Sequence, residues 1–485
     1  MPPSDAIKRP RKSDRHNLLC LYHILDGLRQ GLCKFSGPSR VAIVYAIHPD
    51  DPLRIFDPQG LLKDQKKRMK EYFIDTDEWR RNLRDHGHLL FDKPQSQYLD
   101  LPDVLSLGSR ARGTAYQMWF SENHVDLCSP GPVYRWMEFA LLQLSQSFLA
   151  QDILSAESAG HLLQEMDVHA VHDHIVEECT RIMGSSPKFH VYNLLESIIQ
   201  ISKTPEEGAW ARGQLAFVEP CYLPQVQFLT TFPKTERPLL ENYKHVRKLL
   251  QAVERSDRTL ISDGKFINGI SISDLPQPSL CCEFRGRHGL LSLNLDPICS
   301  FSDGAFHGTN RKPTLAMLEA VLRRWPLDFQ HRKNLFSCIT RIVATAGEEK
   351  YGCTIVVDPS DPPLHLSGQS LETPICLEPE ENLKLAAALA KVDGALHIDS
   401  NLQLRSFACL MDGPSLMTED RARGARYNSA LRFTTKHPGL IVVVVSSDRP
   451  VSVIQNGIDL SQPHTWPPIS STMRLPPTLT QWLKV

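Results

Sequence analysis

The chain lacks any run of about 18 apolar residues, so it offers no helix long enough to span a bilayer. It has no surplus of either charge. Lys and Arg number 54 and Asp and Glu 55, so no overall field draws it to nucleic acid or to a membrane surface. Its 12 cysteines include no Cys-x-x-Cys pair, which removes the usual zinc spacings. Cys281 and Cys282 are adjacent in a strand-like run, where neighbouring side chains point to opposite faces. Scattered thiols of this kind read as buried cysteines in a reducing cytoplasm. There are no internal repeats.

What is present is ordinary for a soluble globular protein: 485 residues, 41% hydrophobic and 22% charged, enough for two to four domains. Residues 1–15, with the basic stretch Lys8-Arg9-Pro10-Arg11-Lys12, read as a disordered tail. Residues 16–130 read as a small α/β unit. It has helical spacing from Asn17 to Leu32 and a buried strand at 41–47, ended by the turn His48-Pro49-Asp50-Asp51-Pro52. Residues 131–275 read as mainly helical, and 276–313 as a β-hairpin and connector built around Arg285-Gly286-Arg287-His288-Gly289. Residues 314–460 form a coherent α/β domain, and 461–485 a Pro-rich, irregular tail.

One cluster invites a metal reading: Asp167, His169, His172, Asp173, His174 and Glu177. Two pairs in it are four apart and would share a helix face, but exposed helices carry such mixtures routinely. It reads as a solvated face. Asp303-Gly304-Ala305 reads as a plain turn in a polar loop with no strand after it.

The stretch 390–448 is different. Asp393-Gly394-Ala395 opens an apolar run, Ala395-Leu396-His397-Ile398. Thirty residues on, Arg423-Gly424-Ala425-Arg426-Tyr427-Asn428-Ser429-Ala430 opens a helix-like run. A β-branched strand follows, Ile441-Val442-Val443-Val444-Val445, ending in Ser446-Ser447-Asp448. The order is acid before a strand, a glycine-led helix start, a buried strand, then a hydroxyl. A glycine at a helix start frees backbone amides for phosphate.

This order resembles the diadenylate cyclase domain, whose signatures are Asp-Gly-Ala and Gly-Thr-Arg-His-Arg-Ala-Ala. The resemblance implies an α/β (α+β overall) chain. Its C-terminal domain would carry a mixed sheet flanked by helices, behind a mixed α/β sensor-like region. It implies a soluble, bacterial enzyme that joins two ATP molecules into cyclic di-AMP, a second messenger, and releases pyrophosphate. Asp393 then engages the 3′-hydroxyl. Gly394 and Ala395 let the ribose approach. Gly424, Ala425 and Ser429 belong to the phosphate cradle, Arg426 pairs with phosphate, and Ser446 touches the triphosphate. Asp448 helps hold Mg²⁺ or Mn²⁺. Tyr427 stands where the family has His, and Asn428 where it has the second Arg. Both keep groups that contact nucleotide: a ring and hydroxyl, and an amide. The family's active site needs two protomers, so self-association is implied, with an unidentified ligand at the N-terminal region. The alternative is a sensor that uses the same pocket to bind a nucleotide or cyclic dinucleotide without turnover.

Overall fold

The computed structural model describes residues 12–76, 79, 97–111, 114–124, 126–150, 153–206, 209–254, 257–286, 288–309, 315–349, 351–414, 419, 423–446, 451–460 and 475–484. The chain divides into two compact units. One comprises residues 1–310 together with 466–485, and the other residues 311–465. The second unit is therefore an insertion in the chain of the first.

The first unit opens with the helix Lys12–Ser36, then a four-stranded antiparallel sheet ordered Arg54–Phe56, Val41–Ala46, Thr114–Glu122, Val104–Ala111. Both faces of that sheet are covered. Val41, Ile43 and Tyr45 pack on one side, and Ala42, Val44 and Ala46 on the other, as the two-residue pleat requires. Helices Gly131–Ala150, Ile153–Leu163, Asp167–Met183 and Val191–Lys203 follow.

From Arg212 the chain turns to strands, where the sequence reading expected mainly helix up to 275. Eight strands form one sheet, in which only Arg212–Val218 and Thr259–Ser262 pair in parallel. Short apolar runs such as Leu215-Ala216-Phe217-Val218 do not distinguish a buried strand from a helix segment by period alone. Ser279–Arg285 and His288–Leu293 form an antiparallel hairpin in this sheet, although Arg287 at its turn lies outside the described residues. The Asp303-Gly304 turn is followed by a short strand, Ala305–His307, which the sequence reading did not anticipate. Both turn residues have positive φ, 48° and 85°, which suits a tight two-residue hairpin.

The C-terminal ten residues described are also ordered against this unit, contrary to the expectation of an irregular tail. Helix Leu479–Lys484 buries Leu479 among Leu53, Ile55 and Leu62. The amide of Ile55 donates to the Pro477 carbonyl at 3.1 Å, and that of Leu479 to the Leu53 carbonyl at 2.8 Å. Residues 461–474 lie outside the described residues.

The second unit is a seven-stranded mixed sheet. Its order is Gln369–Cys376, Gln403–Cys409, Ala395–Asp399, Cys353–Asp358, Ile441–Val445, Ser452–Gln455, Ile458–Asp459, and only Cys353–Asp358 with Ala395–Asp399 is parallel. Both faces of the central strands are covered, and Ile441–Val445 is apolar along its whole length. Ile355, Val357, Ile441, Val443 and Val445 pack against helices Ala316–Leu322, Phe329–Glu348 and Glu380–Leu389. Val356, Val442 and Val444 pack against Ala425–Lys436. The Asn456-Gly457 turn joins the last two strands.

At the C-terminal end of the central strand, Asp358 and His397 form a buried pair at 3.1 Å. Asp358 also accepts the amides of Ser360 at 2.8 Å and Leu364 at 2.7 Å. Burial raises this carboxyl, but the His397 and amide hydrogen bonds outweigh it and hold it at about 2. The folded pKa lies below the unfolded one. The stabilisation is therefore complete above about pH 4 and fades as pH falls through about 2, amounting to roughly 2 kcal/mol. Denaturant unfolding of the full chain at pH 5 and pH 2.5 is expected to show a smaller loss for Asp358→Asn than for the parent. Equal losses would remove Asp358 from that role.

Candidate functional site

The cleft lies at the opposite end of the same sheet. Four stretches converge there: Gly352, just before the central strand; Asp393 and Gly394, before its parallel neighbour; the start of helix Ala425–Lys436; and Val444-Val445-Ser446, where the buried strand ends. Arg423 and Ser452 complete the lining of a cleft of about 410 Å³.

Three glycines shape it, each differently. Gly424 is the N-cap of the helix, with φ 79° and ψ 171°, and no atom lies within 4 Å of where its Cβ would stand. It has no side chain to cap the first turn, and a glycine-led helix start is suited to an anion. Gly394 has φ 110°, and a Cβ there would meet the Ala408 backbone at 2.5 Å. The fold itself demands this glycine. A Cβ on Gly352 would meet Arg426 Nη1 at 2.8 Å, so that glycine lets the guanidinium lie across the start of the central strand.

The charges are two guanidiniums and one carboxylate. Arg426 Nη2 donates to Asp393 Oδ1 at 3.2 Å. Asp393 is fully exposed and Arg426 about half exposed, so the pair is weak and open to exchange. Arg423 is held more firmly. Its Nη2 donates to Ser452 Oγ at 2.6 Å and to the buried Asp459 carboxylate at 3.2 Å. Its Cζ also lies 4.1 Å from the centroid of the Tyr427 ring, a cation–π stack.

The sequence-predicted residues do not all meet here. Asp393, Gly394, Gly424, Ala425, Arg426, Tyr427 and Ser446 line the cleft. Ala395, Asn428 and Ser429 do not. Ala395 is the first residue of its strand and is buried against the helix Ala425–Lys436, beside Val356 and Val442. Asn428 turns back on its own helix, its Nδ2 donating to the Gly424 carbonyl at 3.1 Å. Asp448 lies outside the described residues. Sequence reasoning missed Arg423, Gly352 and Ser452. Arg423 opens the same eight-residue motif, and its charge beside a helix-opening glycine was a usable signal. Nothing local marked the other two, which reach the cleft only through sheet order.

The mixed sheet thus brings an acid, a glycine-led helix start and two guanidiniums together at one end. Residues 341–458 match the family described as "DisA bacterial checkpoint controller nucleotide-binding", abbreviated DAC. Residues 15–185 match "Probable sensor domain DACND" and 192–299 match "Probable sensor domain DACNH". The chain thus carries a C-terminal DAC domain behind two domains of those sensor families. Among solved structures, a double mutant of DacA from Staphylococcus aureus is similar at 15% identity. The match covers 32% of this chain and 94% of that one, with a TM-score of 0.22. A hypothetical membrane spanning protein from Bacillus cereus is similar at 23% identity, over 26% of this chain and 61% of that one, also with a TM-score of 0.22. No curated protein matches the sequence. Among the described residues, no helix is long and apolar enough to cross a membrane.

Proposed function

We propose that the DAC domain binds ATP and, with two copies facing each other, condenses two ATP molecules into cyclic di-AMP and pyrophosphate. The observation that carries this reading is the meeting of Asp393, Arg426, Arg423 and the Gly424-led helix start in one cleft. The chemistry asks for a carboxylate near the attacking 3′-hydroxyl and for positive charge around the α-phosphate and departing pyrophosphate. In this reading Asp393 takes the hydroxyl proton, Arg426 turns from Asp393 to phosphate, and the helix amides hold phosphate oxygens. Arg423 supplies the second guanidinium that Asn428 cannot.

Magnesium or manganese suits this cleft. Such ions take one or two carboxylates plus substrate phosphates, and Asp393 and Ser446 offer hard oxygens beside the amide cradle. Bound with the nucleotide, the ion would neutralise phosphate charge. The two sensor-family domains and the insertion of residues 311–465 between 310 and 466 support control of this domain by the N-terminal region.

One observation favours a rival reading, a nucleotide or cyclic dinucleotide sensor without turnover. Asp393 is already paired with Arg426, so its carboxylate is engaged within the cleft itself. Full exposure makes that pair easy to part, so the enzyme reading is preferred. The deciding experiment incubates the full chain with ATP and Mg²⁺ or Mn²⁺ and analyses products by mass spectrometry. Cyclic di-AMP supports the proposal. ATP binding without any dinucleotide overturns it in favour of the sensor.

Arg426→Ala is expected to weaken ATP binding by about 1.5–3 kcal/mol, the worth of a charge-assisted hydrogen bond, or roughly ten- to a hundredfold. Calorimetry checks this, and unchanged affinity would take Arg426 out of the cradle.

A further inference from the structure

A second cavity, of about 890 Å³, lies in the first unit, in the region matched by DACND. It is a groove along helices Gly131–Ala150 and Asp167–Met183, which pack on each other. Its apolar walls are Tyr98, Tyr134, Phe139 and Leu142. Tyr98 and Tyr134 meet edge to face with centroids 5.2 Å apart, and Tyr98 and Leu142 are exposed. At one end His174 packs so closely on Gly131 that a Cβ there would meet its ring at 2.1 Å.

The polar groups of the groove are unbalanced. Arg135 lies between two carboxylates, its Nη1 at 2.8 Å from Glu138 Oε2 and 3.0 Å from Glu177 Oε2. Arg181 is committed to Glu178 at 2.6 Å. Asp173, one helical turn from Glu177 on the same face, also lines the groove, its Oδ1 lying 2.8 Å from His172 Nδ1 and its side chain about half exposed. Burial holds His174 below the ordinary imidazole range, with Glu178 and Glu177 offsetting this only in part, so it adds no positive charge at neutral pH. Four carboxylates thus stand against two guanidiniums.

We propose that this groove is a small-molecule site for an organic cation: an amine or guanidine on an aromatic or aliphatic body. Asp173 and Glu177 face the cation. The Tyr98 and Tyr134 rings offer it their electron-rich faces and cover its apolar body. The volume is in the range of small-ligand pockets, and the mix of aromatic walls with a few convergent polar groups is theirs as well. The excess of carboxylates disfavours phosphates, so this site and the nucleotide cleft select opposite charges. The inference does not depend on whether the DAC domain turns over ATP.

The test is calorimetry on the full chain at about 0.15 M salt, where long-range attraction is screened. Tyramine and spermidine are the cationic probes, and glutamate and ATP the anionic controls. Saturable binding of at least one cation is expected, with no second ATP site outside the DAC cleft. Asp173→Asn is exposed enough to leave the fold intact, and it should weaken that binding about tenfold or more, as loss of a charge-assisted contact does. Tyr134→Leu should weaken it too, with the melting temperature retained as a control on folding. Three outcomes would overturn the proposal: no binding of either cation, equal affinity in folded Asp173→Asn, or tighter binding of glutamate than of the cations.

Discussion

Asp393→Asn is expected to lower cyclic di-AMP output by about 10²–10⁴-fold, the usual worth of a general base. Asparagine keeps the shape and loses the charge, so the fold should not change. Asp393 is fully exposed and pairs with Arg426. Releasing Arg426 from that 3.2 Å pair leaves it free for phosphate, so ATP affinity should stay level or rise slightly. This combination separates loss of the base from loss of the site: Arg426→Ala should lose affinity, while Asp393→Asn should lose turnover. Single-turnover product assays with ATP binding measured in parallel check it. Output above about a tenth of the parent rate would strip Asp393 of the role.

The parts of the C-terminal unit most legible in the sequence were those with a single dominant signal. The run Ile441–Val445 is β-branched throughout and occupies a strand buried on both faces. Gly424 before a polar-apolar run marks the start of a helix, and the structure opens that helix at Ala425. The edge strand Gln369–Cys376 and its neighbour Gln403–Cys409 escaped notice because their residues alternate irregularly and their pairing contains bulges. The strands Val104–Ala111 and Thr114–Glu122 mix Ser, Gly and Gln with large aromatics, a pattern with no clear period. Gln117 is fully buried, satisfied by Thr114 at 2.6 Å and Ser145 at 2.7 Å, and such polar cores are invisible to hydrophobic patterning.

Site residues followed the same logic. Most residues of the two motifs reach the cleft, but Ala395, Asn428 and Ser429 do not. Gly394 lines it and Ala395 is turned into the core. The meaning of a residue also shifts once its surroundings are known. Gly394 reads in the sequence as room for a ribose, yet the Ala408 backbone fills the place of its missing Cβ. Tyr427 reads as a face for a base, yet it is 7% exposed and its ring carries Arg423. In the proposed reading Arg423, stacked on Tyr427, is the second cation in place of the arginine that position 428 lacks.

That stacking sets the expectation for restoring the residues of the diadenylate cyclase signature. Tyr427→His with Asn428→Arg is expected to reduce product formation, not to raise it. A smaller ring at 427 withdraws the platform under Arg423, at a cost of about 0.5–2 kcal/mol for the stacked cation. It also opens space beside Ala430, Leu431 and Val444, which pack with Tyr427 in one core. Asn428 presently turns away from the cleft to the Gly424 carbonyl, so an arginine there starts from a helix face that does not line the site. If Arg423 loses its phosphate contact as a result, another 1.5–3 kcal/mol or so follows. Together the fall is about 2–5 kcal/mol, roughly thirtyfold to several thousandfold in rate. Arg423→Ala alone should reproduce much of it, because both changes remove the same cation. Mass spectrometry of products from the parent and both variants, at matched dimer content, measures this. Should the double substitution raise output above the parent, the cation at 423 is no replacement, and the parent cleft is a binding site whose turnover was lost with the signature.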